Sequence, residues 1–249
     1  MSGVSENVGR SAAITGAGSG LGREIAIDLA AKGYVVFGTA ASAAEVWDLK
    51  EASGGRIRLT VCDITKEQAV RAWIDDVSQA LGDDGLDLLV SNAGICAPGK
   101  IEILPLASIK REFDVNGFAD RSVINAFIPA LRNAHGRIAQ ISTWTSCLPL
   151  SLNGSSGAST AVTKAFGTAY CAELQRFGID VLIAAPEGNV KPVGGESGNA
   201  LAHVAETMTP EQREPFDRRS IASQPSSNSM QGGGIDASLA AKFATLGLL

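Results

Sequence analysis

Short apolar runs alternate with longer stretches in which apolar residues recur at helical spacing over the first three quarters of the chain. The runs at 12–14, 34–37, 56–61, 86–90, 136–141 and 179–184 predict six strands. The run at 86–90 is apolar except for Asp87, the composition of a strand covered on both faces. Helices are predicted between them at 23–32, 43–51, 66–81, 107–132 and 159–177. Gly54-Gly55 and Gly178 supply stops, and Thr65 with Gln68 three residues on predicts a capping box for the third helix. Asn116-Gly117 and Pro129 predict irregularities inside the 107–132 helix.

Strands that alternate with helices join through right-handed crossovers into a parallel sheet. The expected fold is therefore α/β: a doubly wound, Rossmann-type parallel sheet in a three-layer αβα arrangement, as a single domain over 1–249. Ligands of such sheets bind beyond the carboxyl ends of the strands. Residues 16–22, Asp63, 92–94, Ser142-Thr143 and 186–190 all fall at such ends. The segment 187–231 is rich in Gly, Ser, Pro and charge, with one predicted helix near 198–208, and reads as a substrate loop or lid. After Gly232-Gly233-Gly234, residues 237–249 suit helix or strand equally.

Composition narrows the partners more than the fold. Among 249 residues, 45% are hydrophobic and 19% charged, which is ordinary for a soluble enzyme. A net charge of −5 without a dense Lys/Arg block argues against nucleic acid or an anionic membrane as partner. Cys62, Cys96, Cys147 and Cys171 are scattered, which supports neither a zinc site nor a disulfide framework and suits reduced thiols. His135 and His203 have no carboxylate or cysteine at ligand spacing, so no metal is expected. Residues 1–10 lack the apolar core of a secretory signal, and no apolar run is long enough to span a membrane; a cytoplasmic location is expected.

The stretch Thr15-Gly16-Ala17-Gly18-Ser19-Gly20-Leu21-Gly22 joins the first strand to the first helix. A glycine-rich turn there lets backbone approach a phosphate, with the helix's first N–H groups and positive dipole end facing the anion. A strand before and a helix after is the context that this motif requires. Asp63, Ser91-Asn92-Ala93-Gly94, Asn116, Ser142-Thr143, Lys164 and the turn at Pro186 follow in order. On these motifs, residues 10–192 resemble a short-chain dehydrogenase/reductase. Phe113-Asp114-Val115-Asn116 and Gly136-Arg137-Ile138 are also similar to the branch that contains retinol and hydroxysteroid dehydrogenases.

The resemblance implies NAD or NADP as cofactor and a small-molecule alcohol or carbonyl as substrate. Gly16, Ser19, Gly20, Leu21 and Gly22 would cradle the pyrophosphate. Asp63 would bond the adenine, with Ile64 packed against it. Asn92, Ala93 and Gly94 would line the nicotinamide-side ribose, and Lys164 would grip it. Pro186, Gly188 and Val190 would flank the nicotinamide. A homodimer or homotetramer packed through the 107–132 and 159–177 helices is implied as well. Residues 38–42 carry neither the acidic residue expected for NAD nor an arginine for NADP. Ser19, where NADP-preferring relatives often carry a basic residue, leans the expectation towards NAD.

The proposed catalytic set is Asn116, Thr143, Thr160 and Lys164, and it departs from the family. The family places a tyrosine four residues before the lysine, as the proton donor or acceptor for the substrate oxygen. Here that position is Thr160, one helical turn from Lys164. A phenol titrates near pH 10, whereas an aliphatic hydroxyl is far less acidic. Thr143 stands where the family has its serine, after Ser142. Tyr34 lies in a strand, and Tyr170, six residues past Lys164, is expected to pack in the core. The stretch from Thr143 to Thr160 is longer than the family's usual spacing, and 151–159 is rich in Ser and Gly. Three functions remain compatible with this site. They are an NAD(P)-dependent oxidoreductase, a cofactor-binding protein without dehydrogenase turnover, and a non-redox elimination or dehydration enzyme.

Overall fold

The computed structural model describes residues 9–147 and 151–185, in which six strands make one sheet in the order β3-β2-β1-β4-β5-β6. The strands are β1 (Ser11–Ile14), β2 (Val35–Ala40), β3 (Ile57–Val61), β4 (Leu88–Ser91), β5 (Arg137–Ile141) and β6 (Asp180–Ala184). Every pairing is parallel. The chain winds outward from β1 to β3 and then returns to β4 on the other side of β1. The crevice between β1 and β4 is thus a topological switch point, where such sheets take their ligands.

Side chains alternate across a strand, and this divides the core into two layers. Ala13, Phe37, Leu89 and Ile138 face α3 (Glu67–Leu81) and α5 (Asp120–Ala134), where Trp73 meets Phe127 edge to face at 5.2 Å. Ala12, Ile14, Val36, Leu88, Val90 and Ala139 face Leu21, Ile25 and Leu29 of α1 (Gly20–Ala31) and Leu49 of α2 (Ala43–Ala52). α6 (Gly154–Leu174) brings Tyr170 and Leu174 to the first layer. The three-layer doubly wound fold is as expected.

One local expectation, the irregularity at Asn116-Gly117, is met and sharpened, and two are corrected. The 107–132 helix is instead α4 (Leu106–Glu112), a π-helical segment Phe113–Ala119 and α5, so the irregularity at Asn116-Gly117 is a widened turn and Pro129 is accommodated inside α5. The capping box at Thr65 is not formed. Lys66 is the N-cap of α3, because the Thr65 hydroxyl donates to Asp63 Oδ1 at 2.7 Å, a stronger acceptor close at hand. α6 starts at Gly154 rather than near 159, since the Ser155 hydroxyl in its first turn donates to the buried carboxylate of Glu112. The 187–231 lid, the 198–208 helix, 237–249 and Pro186, Gly188 and Val190 lie outside the described residues.

Candidate active site at the carboxyl ends of the strands

At the β1–β4 switch point the glycine turn is bound to β4 through Thr15, which is 1% exposed. Its N–H donates to Val90 O at 3.0 Å, and its hydroxyl accepts from Asn92 N at 2.9 Å and Ala93 N at 3.0 Å. Asn92 Nδ2 donates to Thr15 O and Gly16 O at 3.0 and 3.2 Å. Asn92, expected at the ribose, therefore spends its amide on holding the turn in shape. A Cβ on Gly22 would lie 2.2 Å from Gly16 O and 2.4 Å from Asn92 Nδ2, so only glycine lets α1 come this close. Gly16 and Gly20 take φ of 66° and 54°, backbone that glycine adopts freely.

α1 opens with its amides uncapped. Ser19 is the N-cap, its side chain makes no capping bond, and the first turn holds no acidic residue. The positive end of this helix therefore stands ready for an anion, with Ser19, Gly20 and Leu21 at its mouth. The arrangement fits the pyrophosphate of a dinucleotide.

Asp63, expected at the adenine, is exposed beyond β3. Hydrogen bonds from the Thr65 hydroxyl and N–H hold its carboxyl below the usual aspartate range. Ile64 is 8% exposed and packs in the core with Val70 and Trp73, rather than standing free for a base. A residue absent from the sequence expectations appears here. Glu45 accepts from Ala41 N at 2.9 Å and lies against Gly18, where a Cβ would sit 2.2 Å from Glu45 Oε2. A carboxylate thus stands beside the glycine turn at the end of β2, although residues 38–42 hold none. The signal was available: Ser42 and Glu45 have capping-box spacing, and Glu45 N donates to Ser42 Oγ at 3.5 Å.

On the other side of the switch point, the π-helical turn presents Asn116, 6% exposed, to the loop after β4. Its Oδ1 accepts from Ile95 N and its Nδ2 donates to Ile95 O, both at 2.9 Å, with a further bond to Ser159 Oγ at 3.0 Å. Its backbone carbonyl accepts from Thr163 Oγ1 at 2.7 Å. Asn116 clamps the loop carrying Gly94 to α6, and its polar atoms are engaged in that task.

Thr160 is 9% exposed, and its hydroxyl donates back along its own helix to Ser156 O at 2.7 Å and Gly157 O at 3.2 Å. Thr143 Oγ1 accepts from Thr145 N at 3.0 Å and meets Thr145 Oγ1 at 2.5 Å. Tyr170 packs in the core as expected and donates to Asn125 Oδ1 at 2.6 Å; burial pushes its phenol up to about 12. Lys164 is exposed, and its ammonium donates to Cys147 Sγ at 2.8 Å.

Beneath this half lies a second unforeseen group. Asp120 is 4% exposed and accepts from Gln140 Nε2 at 2.7 Å. Burial pushes its carboxyl up to about 7, opposed by the Gln140 bond. α6 passes close above: a Cβ on Gly167 would meet Gln140 Oε1 at 2.1 Å.

Comparison with known proteins follows the same lines. A family model described as short chain dehydrogenase matches residues 10–196. Estradiol 17-beta-dehydrogenase 2 of Mus musculus is 29% identical over 180 residues, covering 70% of this chain and 47% of that protein. The NADPH-dependent 3-dehydrocapnine reductase of Ornithobacterium rhinotracheale is 27% identical over 182 residues, covering 71% and 64%. The chain thus aligns with about half to two thirds of the length of these curated relatives. A short-chain dehydrogenase structure from Streptomyces avermitilis superposes with a TM-score of 0.78 at 24% identity, covering 96% of this chain and 83% of that one. No helix among the described residues is long and apolar enough to cross a membrane.

Proposed function

The chain belongs to the short-chain dehydrogenase family, and on that premise we propose that it is an oxidoreductase moving hydride between NAD and an alcohol or carbonyl compound. The observation that carries this reading is the glycine turn knitted to Asn92, with the amides of α1 left uncapped towards the crevice. When bound, the dinucleotide supplies or accepts the hydride. The chain's residues bind and orient it. The α1 amides hold the pyrophosphate, Asp63 holds the adenine, and the Lys164 ammonium holds the nicotinamide-side ribose. Thr143, at the end of β5, offers a hydroxyl to the substrate oxygen.

Glu45 supports NAD over NADP. A carboxylate beside Gly18 accepts hydrogen bonds from ribose hydroxyls and repels a 2′-phosphate. Fluorescence titration tests both claims at once. NADH is expected to bind at least tenfold tighter than NADPH, and Glu45→Ala is expected to narrow that ratio. Failure of both cofactors to bind below millimolar concentration would overturn the reading. A second reading, binding without turnover, is favoured by the Thr160 hydroxyl turned back on its own helix. NADH binding without oxidation of any member of a steroid, aliphatic and sugar alcohol panel would establish it.

A further inference from the structure

We propose that the Cys147 thiol, paired with the Lys164 ammonium, is the proton donor and acceptor for the substrate oxygen, an assignment that rests on the hydride-transfer reading above. Lys164 Nζ lies 2.8 Å from Cys147 Sγ. Both residues are exposed beyond the carboxyl end of β5, on the side of the sheet where Asn116 and Ser159 join the loop after β4 to α6.

Packing builds this pair. Ser146 N donates to Thr143 O at 3.1 Å, and Thr145 N donates to Thr143 Oγ1 at 3.0 Å, which closes the tight turn leading to Cys147. α6 lies against that turn at Gly157, where a Cβ would sit 3.0 Å from Thr145 O. Lys164, two helical turns along α6, is thereby set beside Cys147. At the same strand end, Ser142 is 6% exposed and its hydroxyl has no hydrogen-bond partner among the described residues.

The competing donors are spent. Thr160 bonds its own helix, Tyr170 bonds Asn125, and Tyr34 lies 5% exposed among the α1-side core residues. The chemistry of a thiol suits the task better than a threonine hydroxyl. A free thiol titrates near 8.5, and a proton donor works best with a pKa near the operating pH. The Lys164 hydrogen bond, then the Ser146 hydroxyl, draw the Cys147 thiol below its ordinary value, and the Lys164 charge adds to this. Lys164 from α6 is the charged group acting on Cys147 among the described residues.

In the reduction direction, the carbonyl carbon gains the hydride and its two electrons. The C=O π pair moves onto oxygen and takes the proton of the Cys147 S–H. The thiolate left behind is stabilised by the Lys164 ammonium and regains a proton from water. Oxidation of an alcohol runs these steps backwards, with the thiolate taking the hydroxyl proton.

Two measurements on the full chain test the assignment, both with Cys171→Ser as background so that the other exposed thiol is absent. First, iodoacetamide labelling of Cys147 is followed by mass spectrometry across pH, with and without NADH. The labelling midpoint is expected below that of a free thiol, to rise by a full pH unit or more in Lys164→Met, and labelling is expected to slow when NADH is bound. A midpoint that Lys164→Met leaves in place overturns the pairing. Second, Cys147→Ser is expected to lower kcat about 10²-fold with little change in KM or NADH affinity, and to abolish the high-pH fall in carbonyl reduction. Turnover within threefold of the parent, with the same pH profile, overturns the catalytic role alone. Absence of any turnover in the parent overturns the hydride-transfer reading, and this assignment with it.

Discussion

The two halves of the crevice keep their function in different ways. On the β1–α1 side, the Thr15 hydroxyl and the Asn92 amide tie backbone to backbone, and Gly16, Gly22 and the amides of α1 make a cradle whose shape follows from close approach. On the β5–α6 side the contacts belong to side chains, and Thr160 sits inside α6 without disturbing the helix that carries it. Thr160 is accommodated because a short hydroxyl can bond Ser156 O and Gly157 O within α6. A site built from backbone resists sequence change. On the β5–α6 side Lys164 meets Cys147, Nζ to Sγ at 2.8 Å, a contact between side chains rather than between stretches of backbone.

The sharpest way to break this comparison is to put a methyl group into the cradle. Gly22→Ala would set a Cβ 2.2 Å from Gly16 O, and backbone on both sides must move. We expect NADH affinity to fall at least 100-fold and stability to drop by about 3 kcal/mol, read by fluorescence titration and urea unfolding. Affinity within threefold of the parent would mean that the cradle is not shaped by close approach.

A smaller effect is expected beneath the other half. The Asp120 carboxyl, normally near 3.8, is pushed up to about 7 by burial, so the folded protein holds a proton there that the unfolded chain has released. Its contribution to stability is fully present below about pH 4 and is lost as pH rises through 7. The parent should thus lose about 3 kcal/mol from this group between pH 5 and pH 8.5, while Asp120→Asn should not. Urea midpoints of both proteins at the two pH values check this, and parallel pH dependences would refute it.

The smallest effect should come from Thr160→Val. Its hydroxyl bonds only carbonyls of its own helix, so unfolding free energy should change by less than about 1 kcal/mol. A loss of about 2 kcal/mol or more would show that the β5–α6 half, too, is held by geometry at this position.

How much could be read without a structure depended on the range of each interaction. The alternation Ala12, Ala13, Ile14 already sorts residues to opposite faces of a strand, and in the fold they lie in different core layers. The glycine turn was legible because it joins a strand to a helix at recognisable spacing, whereas Asn116, inside the π-helical segment, and Lys164, in the middle of α6, were read from the order of motifs along the chain. Glu45 was half legible: Ser42 with Glu45 signals a cap, but nothing local says that the carboxylate turns towards Gly18. The start of α6 was misread because Ser155 draws its partner, Glu112, from 43 residues away.

Local periodicity and turn chemistry therefore determined the strands, the helices and the glycine turn between β1 and α1, since each depends on neighbours within a few residues, while the sheet order joins residues as far apart as Ala12 and Leu88. Tertiary structure alone decided which side chains meet at the site. The meetings of Lys164 with Cys147, Glu45 with Gly18 and Asp120 with Gln140 join residues 17, 27 and 20 positions apart. Such groups acquire their pairing only when packing removes water and sets the distance, and no pattern along one segment encodes that.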